Sequence, residues 1–233
     1  MELFKPSETY QYSPLPQDEN LSLRIFTLHP AHDFSAHLRG SLHVFSAPLS
    51  DPEEFICERY EALSYAWSDV TPISTIEFPD KSHLPIAANL NAFLRYRRHH
   101  EETIVLWVDA ICINQADSKE RSSQVQIMGK IYLLASCLSI WLGTPSRDIA
   151  LAISALRELS CDTAFSKLSM TVEKSTAIDR LLKRAWWYKA WIIQELALGG
   201  LGKKYLQTIV RCGLEHLKWF ELVLACSRMY VTR

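Results

Sequence analysis

The chain has 233 residues, 48% hydrophobic and 22% charged, so it can close a full core and belongs to neither the disordered nor the fibrous classes. Its 25 Lys and Arg against 26 Asp and Glu leave a formal net charge of -1, which provides no field for a polyanion and excludes nucleic-acid binding driven by net charge. Six cysteines (Cys57, Cys112, Cys137, Cys161, Cys212 and Cys226) without CxxC spacing read as reduced, buried thiols, not as a disulfide framework.

Residues 1–20, rich in Pro, Ser, Gln and Glu, read as an extended lead-in. They lack the basic start and apolar stretch of a signal peptide. Leu21, Leu23 and Ile25 alternate with polar neighbours, and a second run at 42–45 follows a loop at 29–40, the pattern of a strand pair joined as a hairpin. Further strands are expected at 59–66 and 73–78. Leu90, Phe93 and Leu94 predict a helix over 89–98. The stretch IVLWVDAICI at 104–113 is apolar on both alternating faces, as a central strand covered on both sides must be. Asp117 stands three residues before Glu120, the spacing of a capping box, and predicts a helix over 118–136. A buried strand at 138–142 follows, so strand, helix and strand should form a parallel pair. Helices are expected at 148–159 and 177–198, with 160–176 ambiguous; a strand at 208–212 and an apolar segment at 214–226 close the chain. The fold class is α/β: a mostly parallel central sheet flanked by helices, with an N-terminal β-hairpin addition, in one domain over 21–233. The longest apolar run, 131–142, falls short of the ~20 residues a membrane helix needs, which predicts a cytoplasmic protein with no membrane span.

Familiar chemical motifs fail on spacing. GGLGKK at 199–204 follows a helix and lacks the spacing of a phosphate loop, adjacent His99 and His100 belong to no zinc-ligand pattern, and Cys112 reads as a packed core thiol. Four features resist a purely structural reading. Asp109 interrupts the 104–113 run near its carboxyl end, where open α/β sheets bind ligands; N-H groups of the following loop are its other explanation. Arg121 sits in the first turn of a helix, where the dipole disfavours a cation, so Asp109 or a ligand phosphate would offset it; a solvated arginine with a carboxylate neighbour is the alternative. Trp187, Trp191 and Glu195 fall at i, i+4 and i+8, on one face of the predicted 177–198 helix. Indole neighbours and a negative helix end favour the protonated acid and mark Glu195 as a functional candidate; a partly exposed Glu over a Trp seam is the plain reading. Ser64, Tyr65 and Trp67 close the 59–66 strand, their rings serving either a planar ligand or packing.

The motifs YEALSYAW (60–67), LWVDAICINQ (106–115), ERSSQVQIMGKIY (120–132), IWLG (140–143), RAWWYKAWIIQE (184–195) and VRCG (210–213) together resemble the fungal heterokaryon-incompatibility (HET) domain family, over most of residues 59–213. Ser68 stands where that family usually has Gly, and Lys189 where it usually has Arg. The resemblance implies an effector of programmed cell death on non-self recognition, partnered by a sensor protein or by further copies of itself. LSY at 63–65 and WIIQEL at 191–196 are in turn similar to motifs of Toll/interleukin-receptor (TIR) domains, which implies a flavodoxin-like fold and cleavage of NAD at its nicotinamide glycosidic bond, with NAD as substrate and no cofactor or metal required. On this likeness Glu195 is the catalytic carboxylate, and Trp67 and Trp191 flank the ligand. Ser64 and Tyr65 then line the pocket, while Asp109 and Arg121 organise the strand end or meet phosphate. A non-catalytic homotypic signalling module and an inactive truncated relative are the competing functions.

Overall fold

A computed structural model of the chain describes residues 8–16, 20–48, 59–67, 69–161, 170–189, 196 and 207–231. Nine strands form one sheet in the order β5-β4-β2-β1-β6-β3-β7-β8-β9: β1 (Asn20–Leu28), β2 (Leu38–Pro48), β3 (Glu61–Tyr65), β4 (Pro72–Glu77), β5 (His83–Ala87), β6 (Ile104–Trp107), β7 (Cys137–Trp141), β8 (Thr208–Cys212) and β9 (Glu215–Lys218). Six α-helices accompany them among the described residues: α1 (Ala88–Arg97), the single turn α2 (Asp109–Cys112), α3 (Ser118–Leu134), α4 (Ile149–Cys161), α5 (Val172–Leu182) and α6 (Trp219–Val231). A 3-10 turn, Ala185–Tyr188, follows α5.

The expected hairpin is present, β1 pairing antiparallel with β2 from Asn20↔Pro48 to Leu28↔Gly40. It is longer than the alternation suggested because β1 is covered nearly throughout, Leu21, Leu23, Ile25, Phe26 and Leu28 all being buried. At its closed end Gly40 is obligatory: a Cβ there would lie 2.2 Å from the Phe26 ring.

The sheet is mixed, which corrects the expectation of a mostly parallel one. Strands β6, β3, β7 and β8 run parallel as a block, while β1 joins β6, and β9 joins β8, antiparallel. The parallel partnership of 104–113 and 138–142 is also indirect, since β3 lies between β6 and β7. Alternation within β3 sends Glu61, Leu63 and Tyr65 to one face and Ala62 and Ser64 to the other. Tyr65 pairs with Trp141, whose ring meets Phe93 and Tyr96 of α1, so α1 covers that face. Ala62 pairs with Trp107, which meets Tyr132 of α3, and Ser64 meets Trp186, so α3 and the 3-10 turn cover the other.

Two predicted elements end early. β6 stops at Trp107, and 109–112 form a helical turn closed by Cys112 N-H donating to the Val108 carbonyl at 2.7 Å. Ile111, Cys112 and Ile113 remain buried, and an apolar run cannot by itself distinguish a buried strand from a buried turn. The 177–198 helix is also broken. α5 begins earlier, where the Thr171 hydroxyl accepts from Lys174 N-H at 3.2 Å, and ends at Leu182. Trp187 Nε1 donates to the Leu181 carbonyl at 2.9 Å, serving one of the orphan carbonyls of that helix end, and Lys189 is extended at φ -75 and ψ 126. Trp187 therefore does not lie on one continuous helix with Trp191 and Glu195; those two residues lie outside the described residues.

The capping box is half realised. Asp117 accepts from Lys119 and Glu120 N-H groups, but Glu120 turns to Arg24 and to Asn114 N-H instead of Asp117. Of the cysteines, Cys112 and Cys212 are buried, Cys137 and Cys226 half-buried and Cys161 exposed, all five free thiols; Cys57 lies outside the described residues. No helix among the described residues is long and apolar enough to cross a membrane.

Candidate functional site

The parallel block directs the carboxyl ends of β3, β6, β7 and β8 to one edge, and the chain leaves each strand there by irregular backbone, described at 66–67 and 69–71, at 108, at 142–148 and at 213–214. Among the described residues, two clefts open at this edge. The first, of about 150 Å³, is walled by Tyr65 and Trp67 from the end of β3, with Asp69, Asn89, Ala110 and Gln115 on its rim. The second, of about 330 Å³, lies between Trp141, Gly143 and Thr144 from the end of β7 and Arg184 and Trp186 around the 3-10 turn.

Ala66 and Asn89 line both. Asn89 Nδ2 donates to the Ala66 carbonyl at 2.8 Å, and its Oδ1 accepts from Trp141 Nε1 at 2.9 Å. One side chain therefore ties the ends of β3 and β7 together at the partition. Asparagine in the first turn of a helix forgoes helix propensity, and that was the available signal for a residue the periodicity missed. Arg184 was missed as well. It donates to the Thr144 carbonyl at 2.9 Å and the Ser146 hydroxyl at 3.0 Å, placing a cation beside the second cleft.

Tyr65 and Trp67 rings lie 6.2 Å apart and tilted by 35°, and Trp67 is 42% exposed, an indole offered to solvent at the mouth of the first cleft. Burial and the nearby Asp109 charge hold the Tyr65 hydroxyl well above the usual phenol range, so it stays protonated and can donate. Ser64 does not join Tyr65 there: it is fully buried on the opposite face, and its hydroxyl accepts from Trp186 Nε1 at 2.8 Å. Adjacent strand residues diverge, which the shared motif concealed.

Asp109 opens α2 just past β6, its Oδ1 accepting from Ala110 N-H at 2.7 Å and its carbonyl from Gln115 Nε2 at 2.9 Å. It stands behind Ala110 and Gln115, which reach the cleft. Arg121 is exposed, its nearest acceptor the Gln115 carbonyl at 3.4 Å. The structure thus brings Tyr65, Trp67 and Asp109 to one edge and leaves Arg121 at its margin. Burial pushes the Cys112 thiol up to about 12, so it is no nucleophile. Among the described residues no group of three or more His, Cys, Asp or Glu side chains could hold a metal.

Behind the edge lies a closed charge pair. Arg24 Nη1 and Nη2 bond Glu120 Oε1 and Oε2 at 2.6 and 3.0 Å, with side chains 2% and 8% exposed. Arg24 also donates to the carbonyls of Cys112 and Ser13, Glu120 Oε1 accepts from Asn114 N-H at 2.7 Å, and Tyr12 Oη donates to the Ile111 carbonyl at 2.9 Å. These bonds fix the 108–117 loop that carries Asp109 and Gln115.

The fold and edge together define an α/β domain with a divided, aromatic-walled cleft at the carboxyl ends of its parallel strands. The chain belongs to the heterokaryon incompatibility family: the family model described as "Heterokaryon incompatibility protein (HET)" matches residues 60–195. It is 32% identical over 179 residues to "Heterokaryon incompatibility protein 6, OR allele" of Neurospora crassa, a match taking in 71% of this chain and 25% of that relative. The chain thus spans about a quarter of the relative's length. No solved structure matches it.

Proposed function

We propose that the domain is a cell-death effector of fungal heterokaryon incompatibility, and that the divided cleft binds NAD for cleavage at the nicotinamide glycosidic bond. The observation that carries this reading is the pairing of an aromatic-walled cleft at Tyr65 and Trp67 with a cation-flanked one at Arg184, separated only by Ala66 and Asn89. A planar base and an anionic pyrophosphate need two such compartments.

Nicotinamide leaves readily, so the protein has chiefly to hold the base, orient the ribose and stabilise an oxocarbenium-like cation with a carboxylate. In this reading water replaces nicotinamide at the ribose carbon, Glu195 supplies the carboxylate, and Trp67 flanks the base with Trp191. Tyr65 donates from the wall, Asp109 holds the Gln115 loop, and Arg184 meets phosphate. The TIR-like motif around Glu195 supports the assignment by analogy.

The test is release of nicotinamide from NAD by the purified chain. We expect release, lowered by on the order of 10²–10³-fold in Glu195→Gln with an unchanged melting temperature. No release at high protein concentration overturns the enzymatic reading. Killing of yeast by the Glu195→Gln variant would instead assign the effect to an interaction module.

A further inference from the structure

A second polar cluster lies on the α1 face of the sheet, apart from both clefts. Glu61 at the start of β3 accepts from Arg97 Nε at 2.9 Å and from Arg97 Nη2 at 2.7 Å. Arg211 of β8 approaches the same carboxylate, Nε to Oε1 3.7 Å, and donates from Nε to the Ser139 hydroxyl at 2.6 Å. Two guanidinium groups thus share one carboxylate, which leaves one positive charge over.

Sealed and fixed is the carboxylate, at 8% exposure, while Arg97 and Arg211 are 28% and 20% exposed. Arg97 Nη1 and both Arg211 terminal nitrogens have no partner among the described residues. The excess charge is half-buried but open to solvent at its unpartnered nitrogens, so an anion can reach it and balance it. Burial accordingly pulls the Arg211 guanidinium below its usual range, with the Glu61 charge opposing and the Arg97 charge adding to the fall.

The surroundings keep the site open and positive. Arg211 pairs with His216, and Ile209 with Lys218, so all four share the face of Arg211. His216 and Lys218 are exposed, whereas Val210, Cys212 and Leu217 on the opposite face are buried. Guanidinium forks already held by Glu61 and Ser139 lose little freedom on meeting a tetrahedral oxyanion.

We propose that Arg97 and Arg211, clamped by Glu61, form a binding site for a phosphate group, carried by a small metabolite or free in solution. It is separate from the clefts, whose linings include none of Glu61, Arg97, Ser139 or Arg211, and it does not depend on NAD cleavage.

The experiment follows the melting temperature of the purified chain titrated with inorganic phosphate or with AMP, each against sodium chloride of equal ionic strength, in wild type, Arg211→Gln, Lys218→Gln and Trp67→Ala. With inorganic phosphate the expected result is a rise of several degrees in wild type and Trp67→Ala, a smaller rise in Lys218→Gln and none beyond chloride in Arg211→Gln. A larger rise with AMP whose excess is lost in Arg211→Gln and kept in Trp67→Ala identifies a nucleotide as the source, and an equal rise the free ion; both support the site. A wild-type response no greater than chloride overturns the proposal. So does an undiminished response in Arg211→Gln, or one lost only in Trp67→Ala, which would place the anion in the cleft. Should Arg211→Gln fail to fold, protection of wild-type Arg211 from phenylglyoxal by phosphate, read by peptide mass spectrometry, decides the matter, and absence of protection overturns it.

Discussion

Two buried carboxylates, Glu120 and Glu61, meet arginine in this molecule to different ends. Glu120 faces one guanidinium, both its oxygens and both terminal nitrogens of Arg24 are taken, and the pair is nearly dry. Glu61 faces two guanidiniums that remain 20% and 28% exposed and keep donors without a partner among the described residues. A balanced pair sealed from water has no excess charge to neutralise and serves as a clamp, here for the 108–117 loop. An unbalanced cluster near water remains electrostatically unsatisfied and can receive a ligand.

The largest break in that contrast is Glu120→Leu, which strands the buried Arg24 charge and frees Asn114 N-H. We expect a loss of about 3–5 kcal/mol in urea denaturation, together with loosening of 108–117 in hydrogen exchange. Glu61→Gln should cost less, about 1.5–3 kcal/mol, because Arg97 and Arg211 can still turn to water. Burial raises the Glu61 acid, but the Arg97 bonds, the Arg97 and Arg211 charges and Ser139 outweigh it and hold the carboxyl below its usual value of 4.5. A depressed folded-state value contributes stability that is complete above 4.5 and disappears as pH falls through the lower folded value. Wild type should therefore lose stability below about pH 4.5 more steeply than Glu61→Gln, measured by denaturation across pH 3–6; parallel curves would show that Glu61 does not carry the acid limb.

Smaller effects sharpen the account of the clefts. Asn89→Ala orphans Trp141 Nε1 and the Ala66 carbonyl and should cost about 1–2 kcal/mol, merging the two compartments and weakening nucleotide binding by more than its stability loss explains. Thr171→Ala removes only the α5 cap, about 0.5–1 kcal/mol, and should leave both carboxylate clusters and the clefts untouched. A nucleotide-binding change in that variant would show coupling that no contact described above provides.

Local chemistry was legible where it acts within a few residues. The start of α3 came from Asp117 and the hairpin from the alternation of Leu21, Leu23 and Ile25, and the short strand expected at 208–212 is present as β8. Tyr65, Trp67 and Asp109 stood out in the sequence because aromatic rings or a carboxylate at a strand's end require explanation, and the structure brings all three to one edge of the sheet. Asn89 and Arg184 were not, since their roles lie in partners 23 and 40 positions away. Ser64 was misplaced because its motif neighbour points to the other face.

By itself the sequence determined the family, the α/β class and the identity of most strands, because hydrophobic period and turn chemistry are properties of neighbours in the chain. Only tertiary structure decided that β3 separates β6 from β7, that 109–112 turn instead of extending, and that the aromatic run after α5 breaks at Lys189. Each depends on bonds between distant segments: Cys112 and Arg24, Trp186 and Ser64, Arg211 and Glu61. Such pairings gain their free energy from burial and charge balance in three dimensions, which no window along the chain contains.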